Sequence, residues 1–306
     1  MSWLQFYKKR PVLVTGGAGF IGAHVVRALV NAGAHVTILD NFSTGSIDAI
    51  ANIQHKISLQ IGDITNLNTC LKATIGKTHV FHLAAAISVE ESTRNPKKYM
   101  YINVDGTKNL LNAAQKNNVQ RFVFSSSAAV YGNQNTACHE DLALAPASAY
   151  AESKALGETL CLQYNAKKAL EAVVLRYFNV YGKNQKIHGG YGAVIPTFLA
   201  KLTQNEPITI FGDGLQTRDF INVEEVVRAN LMAGCAPALK HPIINVASGT
   251  SKTLLKVIDD LVQMIGCKQP LISFAAARPG DVIHSQASCN RYQDLQKKIQ
   301  ELYGSS

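Results

Sequence analysis

The chain has 306 residues, 47% of them hydrophobic, and a formal charge of +9, enough for one large domain or for a main domain with a smaller lobe. Its basic residues are scattered, with tight groups only at Lys8-Lys9-Arg10, Lys97-Lys98, Lys167-Lys168 and Lys297-Lys298, which argues against a nucleic-acid partner and for a positive field that draws a small anionic substrate. The six cysteines (70, 138, 161, 235, 267 and 289) lie far apart without a C-x-x-C pair, the nine histidines make no H-E-x-x-H pattern, and no apolar run is long enough to span a membrane, so neither metal nor disulfides are expected and the expectation is a cytoplasmic protein without a cleaved signal.

The opening Trp3-Leu4-Gln5-Phe6-Tyr7 is expected to pack on the domain rather than touch a membrane. A short apolar strand, Val12-Leu13-Val14-Thr15, then stops at Gly16-Gly17-Ala18-Gly19-Phe20-Ile21-Gly22, and a helical pattern begins at Val25 and Val26. Glycines spaced G-x-x-G-x-x-G between a strand and a helix make a seat for a pyrophosphate: Gly16 allows the turn, Gly19 lets backbone approach the phosphates and Gly22 lets helix and strand pack closely. The next apolar run ends in Asp40, the position of a carboxylate that binds ribose hydroxyls and repels a 2′-phosphate, so NAD is favoured over NADP.

Asn41-Phe42-Ser43-Thr44-Gly45 reads as a turn, residues 46–53 as a helix and Ile57–Ile61 as a strand with Asp63 and Ile64 at its end. There an acid and adjacent backbone can reach an adenine; the alternative for Asp63 is a helix cap. A helix over 67–75 leads to the strand at His79, which closes in Leu83-Ala84-Ala85-Ala86, small residues that let a flat ligand approach or merely pack well. Asn95-Pro96 starts a helix over 96–116, in which Asn103 has no propensity advantage and so points to a buried structural hydrogen bond near the site. Phe122-Val123-Phe124 then delivers Ser125, Ser126 and Ser127 to the sheet edge that holds the glycine turn. Ser127 is the one placed for a substrate oxygen, while Ser125 and Ser126 can satisfy local backbone. Tyr150 and Lys154 are one helical turn apart, on one face. A phenol with a pKa of about 10 is a poor base at neutral pH, and a nearby ammonium and a cationic nicotinamide ring make it a usable one.

With these residues in place, the chain resembles the extended short-chain dehydrogenase/reductase family, and within it most closely the nucleotide-sugar 4-epimerases. The resemblance runs through TGGAGFIG (15–22), DNFSTG (40–45), GDI (62–64), HLAAAISVEES (82–92), NVDGTKNLL (103–111), SSSAAVYG (125–132), YAESK (150–154), RYFNVYG (176–182), FGDGLQTRDFINV (211–223) and ARPGDV (277–282). It implies an α/β fold: a Rossmann-like doubly wound parallel sheet over 1–179 and a smaller, discontinuous C-terminal substrate-binding lobe over 180–306. Within the latter, 180–220, 242–247 and 266–288 would form the lobe, and 221–241 and 248–265 would pack back on the larger domain.

The same resemblance implies a set of roles. Tyr150 would be the base, Lys154 its partner and the ligand of the nicotinamide ribose, and Ser127 the residue that holds the reacting 4-hydroxyl. NAD would contact Gly16, Gly19, Phe20, Ile21, Gly22, Asp40, Asn41, Ser43, Thr44, Gly45, Asp63, Ile64, Leu83, Ala84, Ala85, Asn103, Ser125 and Tyr177. A UDP-sugar would contact Ser88, Asn179, Val194, Ser285, the diphosphate-binding Arg218 and Arg278, and Asp281 near the nucleotide ribose. Ala23 and Ala149 depart from the serine and proline frequent in relatives, and neither change removes a reacting group. Dehydratases of this fold carry an acidic pair after the strand-end hydroxyl and decarboxylases a glutamate, whereas Ala128 and Ala129 stand here. The expectation is a UDP-hexose 4-epimerase that also accepts N-acetylated sugars because Ser285 is small, and a homodimer formed through a four-helix interface of the 96–116 and 150–165 helices. A net reductase or dehydrogenase, or a silent NAD-responsive regulatory or scaffolding protein, are the alternatives.

Overall fold

A computed structural model describes residues 2–168, 170–186, 194–266, 270–277 and 282–304. Strands β1 (Pro11–Thr15), β2 (His35–Asp40), β3 (Ile57–Ile61), β4 (His79–His82), β5 (Arg121–Ser127), β6 (Glu171–Tyr177) and, later in the chain, a strand over Ile243–Val246 form one sheet. Their order is Ile243–Val246, β6, β5, β4, β1, β2, β3, all parallel. Apolar runs such as Val12 to Val14 and Phe122 to Phe124 are buried on both faces, as a parallel sheet covered by helices requires. The chain leaves β1 toward β2 on one side and reaches β4 on the other, so a crevice opens beyond the carboxyl ends of β1 and β4.

Helix α1 (Phe20–Asn31) lies on one face, while α2 (Leu67–Thr74), α5 (Gly106–Lys116) and α6 (Ala149–Ala166) cover the other; α3 (Val89–Arg94) and α4 (Pro96–Tyr99) come between α2 and α5 in the chain. Trp3 and Tyr7 of the opening 3₁₀ turn are buried in the core of the α1 face, so that segment does pack on the domain. The 96–116 segment is not one regular helix, since a π-helical turn, Met100–Asp105, joins α4 to α5. Residues 46–53 differ too: the chain makes two 3₁₀ turns, Ile47–Ala49 and Ala51–Lys56. Only Ile50 and Ile53 there are deeply buried, too narrow an apolar stripe to hold a regular helix on the sheet.

Past β6 the chain makes β7 (Asn179–Tyr181), α7 (Val194–Thr203), β8 (Ile208–Phe211), β9 (Thr217–Asn222), α8 (Val223–Cys235), β10 (Ile243–Val246), β11 (Ser251–Thr253), α9 (Leu254–Ile265), β12 (Ile272–Ala275) and α10 (Asn290–Tyr303). Two small sheets belong to the lobe, one ordered β11-β9-β7 and one pairing β12 with β8. Helix α8 packs on the α1 face of the main sheet, through Val226, Ala229 and Leu231, as expected. The division of the second half is otherwise different from the expectation. Residues 242–247 are not lobe: β10 is the edge strand of the main sheet, hydrogen-bonded to β6. Residues 248–265 do not pack back: Leu254, Val257, Ile258 and Leu261 of α9 form the lobe core with Phe198, Leu202, Ile208 and Ile210. An amphipathic helix carries no label for which of two nearby sheets it will cover, and the apolar stripe of this one is taken by α7 and β8 of the lobe.

Candidate active site

The glycine turn is built as a close-packed cradle at the point where the sheet order reverses. Gly16 has φ +69°, and a Cβ there would lie 2.7 Å from the Ala84 nitrogen at the end of β4; a Cβ on Gly22 would lie 2.0 Å from the Gly16 carbonyl oxygen. Only glycine fits either place, and a phosphate laid on the turn meets backbone N–H groups at the start of α1, whose N-cap is Gly19 and whose first residues are Phe20 and Ile21. These features fit the pyrophosphate of a dinucleotide.

Asp40 ends β2 and is buried; its carboxylate accepts from the Ala18 N–H at 2.9 Å and from the Phe42 N–H at 2.8 Å. It therefore braces the glycine turn while standing where a ribose would lie. Asn41 turns to Asp63, donating at 2.7 Å, and its own carbonyl oxygen accepts from Ser43 N–H. Gly45 packs on the Ala18 backbone, next to Thr44. Asp63 does not cap α2, a task taken by Asn66. Partial burial pushes the Asp63 carboxyl up, but hydrogen bonds from Thr65 and Asn41 outweigh it and leave its pKa below the ordinary value. Ile64 is buried under Gly106, and Leu83, Ala84 and Ala85 follow β4 along the crevice.

Three hydroxyls do arrive at the end of β5, and they divide their work. Ser125 Oγ bonds the Tyr177 hydroxyl at 2.9 Å, which in turn donates to Asn230 at 2.9 Å. Ser126 donates to Glu158 at 2.5 Å. Ser127 is half-buried at the strand's mouth, caps the following 3₁₀ turn by accepting from Ala129 N–H, and brings its hydroxyl near the Tyr150 phenol. Tyr150 sits in the first turn of α6, whose N-cap is Ser148. Burial holds the pKa of the phenol above its ordinary value, and the nearby Ser127 hydroxyl offsets only part of that rise. Lys154 is buried and donates to the Ser125 carbonyl at 2.9 Å; burial drives its ammonium down to about 8 against the opposing pull of Glu158.

Beneath these groups lies a buried ion pair that the sequence reading did not pick out. Arg176 of β6 grips Glu158 of α6 with two hydrogen bonds, 2.9 and 2.6 Å, and donates to the Tyr131 hydroxyl at 2.8 Å and the Glu140 carbonyl at 3.1 Å. Each Glu158 oxygen is thereby paired, as burial of charge demands. The spacing of Glu158 one turn beyond Lys154 was the available signal, but its partner lies on another element.

On the lobe side, Asn179 of β7 donates to the Asp219 carbonyl at 3.0 Å, and Arg218 of β9 donates to the Thr217 carbonyl at 2.9 Å. Ser285 N–H donates to Thr217 O at 3.2 Å, which sets Ser285 beside the strand that carries Arg218. Val194 is the first residue of α7 and is packed against the lobe core. Ser88 caps α3, accepting from Glu91 N–H at 3.1 Å. Arg278 and Asp281 lie outside the described residues. Tyr177 and Phe178 are buried, and the Tyr177 hydroxyl is held within the Ser125–Asn230 network. Among the described residues no group of three or more His, Cys, Asp or Glu is arranged to hold a metal, and no helix is long and apolar enough to cross a membrane.

Asn103 is buried as expected: its side chain accepts from Ala86 N–H at 2.8 Å and donates to Ala86 O at 3.0 Å and to Ser153 Oγ at 2.9 Å. Two further hubs were missed. His82 closes β4 amid apolar neighbours, and Asp219 sits between Arg218 and Phe220, where a charge beside an arginine reads as a surface pair.

Comparison with known proteins agrees with this geometry. A putative UDP-glucose 4-epimerase of Methanocaldococcus jannaschii is 39% identical over 89% of this chain and 87% of its own length. A UDP-N-acetyl-alpha-D-glucosaminuronate decarboxylase of Bacillus cytotoxicus is 36% identical over 84% of this chain and 80% of its own. Among solved structures, the UDP-N-acetylglucosamine 4-epimerase of Methanobrevibacter ruminantium, in complex with UDP-N-acetylmuramic acid, superposes with a TM-score of 0.90 at 35% identity, covering 96% of this chain and 97% of that one. The family model described as NAD dependent epimerase/dehydratase matches residues 12–247. The family match over residues 12–247 and these relatives together show that the chain belongs to the NAD-dependent epimerase/dehydratase family.

Proposed function

We propose that the protein interconverts UDP-hexoses that differ in configuration at C4. The observation that carries this reading is the mouth of β5, where the Ser127 hydroxyl lies near enough to the Tyr150 phenol to shift its pKa, Lys154 lies one helical turn on, and Ala128 and Ala129 follow the serine. That set can move a proton on and off one alcohol, and it offers no acid for elimination. The named epimerases among its relatives support the reading, and the decarboxylase makes the strand-end alanines the distinguishing feature.

In this mechanism Tyr150, as phenolate, takes the proton from the sugar O4 and later returns it, while Ser127 holds the same oxygen through its hydroxyl. Lys154 supplies positive charge on the next turn of the helix and would bind the ribose of the cofactor. The 16–22 turn and Asp40 would hold NAD, together with Asn41, Ser43, Thr44, Gly45, Asp63, Ile64, Leu83, Ala84 and Ala85. The chemistry that NAD supplies when bound is reversible acceptance of the C4 hydride, through a 4-keto sugar. Arg218 and Arg278 fork the diphosphate oxygens, Asp281 takes the nucleotide ribose, and Ser88, Asn179 and Val194 line the substrate. Ser285 leaves room for a 2-acetamido group, so both UDP-Glc/UDP-Gal and UDP-GlcNAc/UDP-GalNAc are substrates.

The test is incubation of the purified protein with those four UDP-sugars and with UDP-glucuronic acid, followed by separation of C4 epimers. Epimers from the hexoses support the proposal. Pentose and carbon dioxide from the uronic acid, or net release of NADH, would replace it with a decarboxylase or a dehydrogenase.

The protein works as a homodimer in this reading, pairing the α5 and α6 faces of two copies into four helices. Tyr101, in the π turn before α5, and Leu156 of α6 are exposed apolar residues on these two segments. Sedimentation at micromolar concentration as a species of only 33.1 kDa, the chain mass, would exclude the pairing.

A further inference from the structure

A buried chain of hydrogen bonds runs from the end of β1 to the helix that carries Tyr150, and the direction of each link follows from its neighbours. Thr107 donates its hydroxyl to the Asn103 carbonyl at 2.5 Å, so toward His82 Nε2, 2.9 Å away, its oxygen accepts. His82 is therefore protonated on Nε2, and its Nδ1 accepts from the Thr15 hydroxyl at 2.7 Å. Thr15 Oγ1 is left to accept from Ala84 N–H at 3.3 Å. On the far side, Asn103 reaches Ala86 with both ends of its amide and donates to Ser153 Oγ, whose hydroxyl goes to the Tyr150 carbonyl at 2.7 Å.

His82 does not shuttle protons here. It is 2% exposed, and burial together with the Lys154 ammonium pushes its pKa down to about 3, so it stays neutral with a fixed donor and a fixed acceptor. What it joins is specific: Thr15 immediately precedes the glycine turn, and the Asn103 carbonyl belongs to the π-helical turn Met100–Asp105. A π turn is a rare geometry that usually occurs as a single turn at a functional site, and this one aims Asn103 at both the β4 end and α6.

We propose that His82 is a positioning residue for the reaction: its two hydrogen bonds fix the π turn against β1, and through Asn103 and Ser153 they set the Tyr150 helix relative to the cofactor turn. The proposal rests on the reading above that Tyr150 acts at this site. Two variants break the chain differently. His82→Leu removes the imidazole, and the isosteric Thr107→Val leaves it in place but removes the oxygen that links it to Asn103.

With NAD-loaded protein and the UDP-hexoses as substrates, each variant is expected to lower kcat at least tenfold while KM for the sugar stays within about twofold and NAD content is retained. The double variant should be no slower than the slower single one, because both break one chain. Amide hydrogen exchange should also quicken together at residues 84–86 and 149–153. Losses of kcat that multiply in the double variant, or a Thr107→Val protein with unchanged kcat, would overturn the proposal. If the parent protein turns over none of the sugars, the epimerase reading fails on its own. The exchange measurement then decides this one: coupled loosening of the two segments supports it, and unchanged exchange overturns it.

Discussion

Asp219 and Ser248 are joined twice, with a single carboxylate oxygen, Oδ1, accepting the Ser248 N–H at 2.8 Å and the Ser248 hydroxyl at 2.7 Å. The other oxygen accepts from the N–H groups of Gly249 at 3.0 Å and Ala287 at 3.2 Å. One buried side chain thus ties β9, the loop after β10 and the segment before α10. Because all four partners donate, the isosteric Asp219→Asn must turn an NH₂ toward other donors. It is expected to cost about 2–4 kcal/mol, measured by urea unfolding, and to raise KM through the adjacent Arg218. A cost under about 1 kcal/mol would mean that the junction does not depend on the charge.

Tyr150→Phe keeps the ring packed at the start of α6 and removes the hydroxyl that takes the O4 proton in the proposed mechanism. Turnover should fall by roughly 10²–10⁴, with NAD content and thermal stability close to the parent. Normal turnover would remove Tyr150 from the mechanism.

The Glu158–Arg176 pair gives a different kind of prediction. Glu158→Gln leaves a guanidinium that is 2% exposed without its countercharge, and breaking a buried pair from one side costs about 3–5 kcal/mol. Calorimetry or denaturant unfolding reads this directly. The same change removes a negative charge that holds the Lys154 ammonium up, so the Lys154 pKa should move further below about 8.

Acid should destabilise the protein through two histidines. His82 and His79 have pKa values pushed down to about 3 and about 4, the first by burial and the Lys154 ammonium, the second by burial and by Arg10 and Arg121. The unfolded chain binds a proton at each near pH 6.5 and the folded one does not, so their neutral forms cost nothing at pH 7. As pH falls below about 6.5, stability is lost at about 1.4 kcal/mol per pH unit for each histidine until the folded values are reached. Urea unfolding between about pH 5 and 7 measures the slope, and His82→Leu should reduce it by about one proton. An unchanged slope in that variant would show that His82 takes up its proton in the folded state.

Ser285→Tyr probes the sugar pocket. The variant should lose activity on UDP-GlcNAc and UDP-GalNAc by about tenfold or more while keeping most of it on UDP-Glc and UDP-Gal, since steric exclusion acts on the acetamido group alone. An unchanged activity ratio would place Ser285 away from the sugar.

Much of this was legible from the chain because it is local. A glycine turn, an acid ending the next strand and a tyrosine and lysine one turn apart each declare themselves within a few residues, and β3 has the predicted bounds of Ile57–Ile61. What stayed hidden depends on partners far away in sequence. The lobe helix α9 and the edge strand β10 were exchanged between domains because an apolar stripe does not name the surface it will cover. His82, Glu158 and Asp219 looked like ordinary polar residues because Thr15 lies 67 positions from His82, Arg176 18 from Glu158, and Ser248 29 from Asp219.

The glycine turn is fastened entirely by its own protein. Gly16 N–H bonds Leu39 O at 2.9 Å, Gly19 N–H bonds Gly16 O at 3.1 Å, Ala18 N–H bonds Asp40, and Ser46 N–H bonds Ala18 O at 3.1 Å. Freezing a loose loop costs about 1–2 kcal/mol of backbone entropy per residue, and a loop already fixed is spared that loss when a ligand arrives. Preorganisation of this kind appears as a slow off-rate: a departing dinucleotide would release no loop freedom to offset the contacts it gives up. Such a cradle suits a cofactor that is regenerated in place at every turnover and has no need to exchange with the medium.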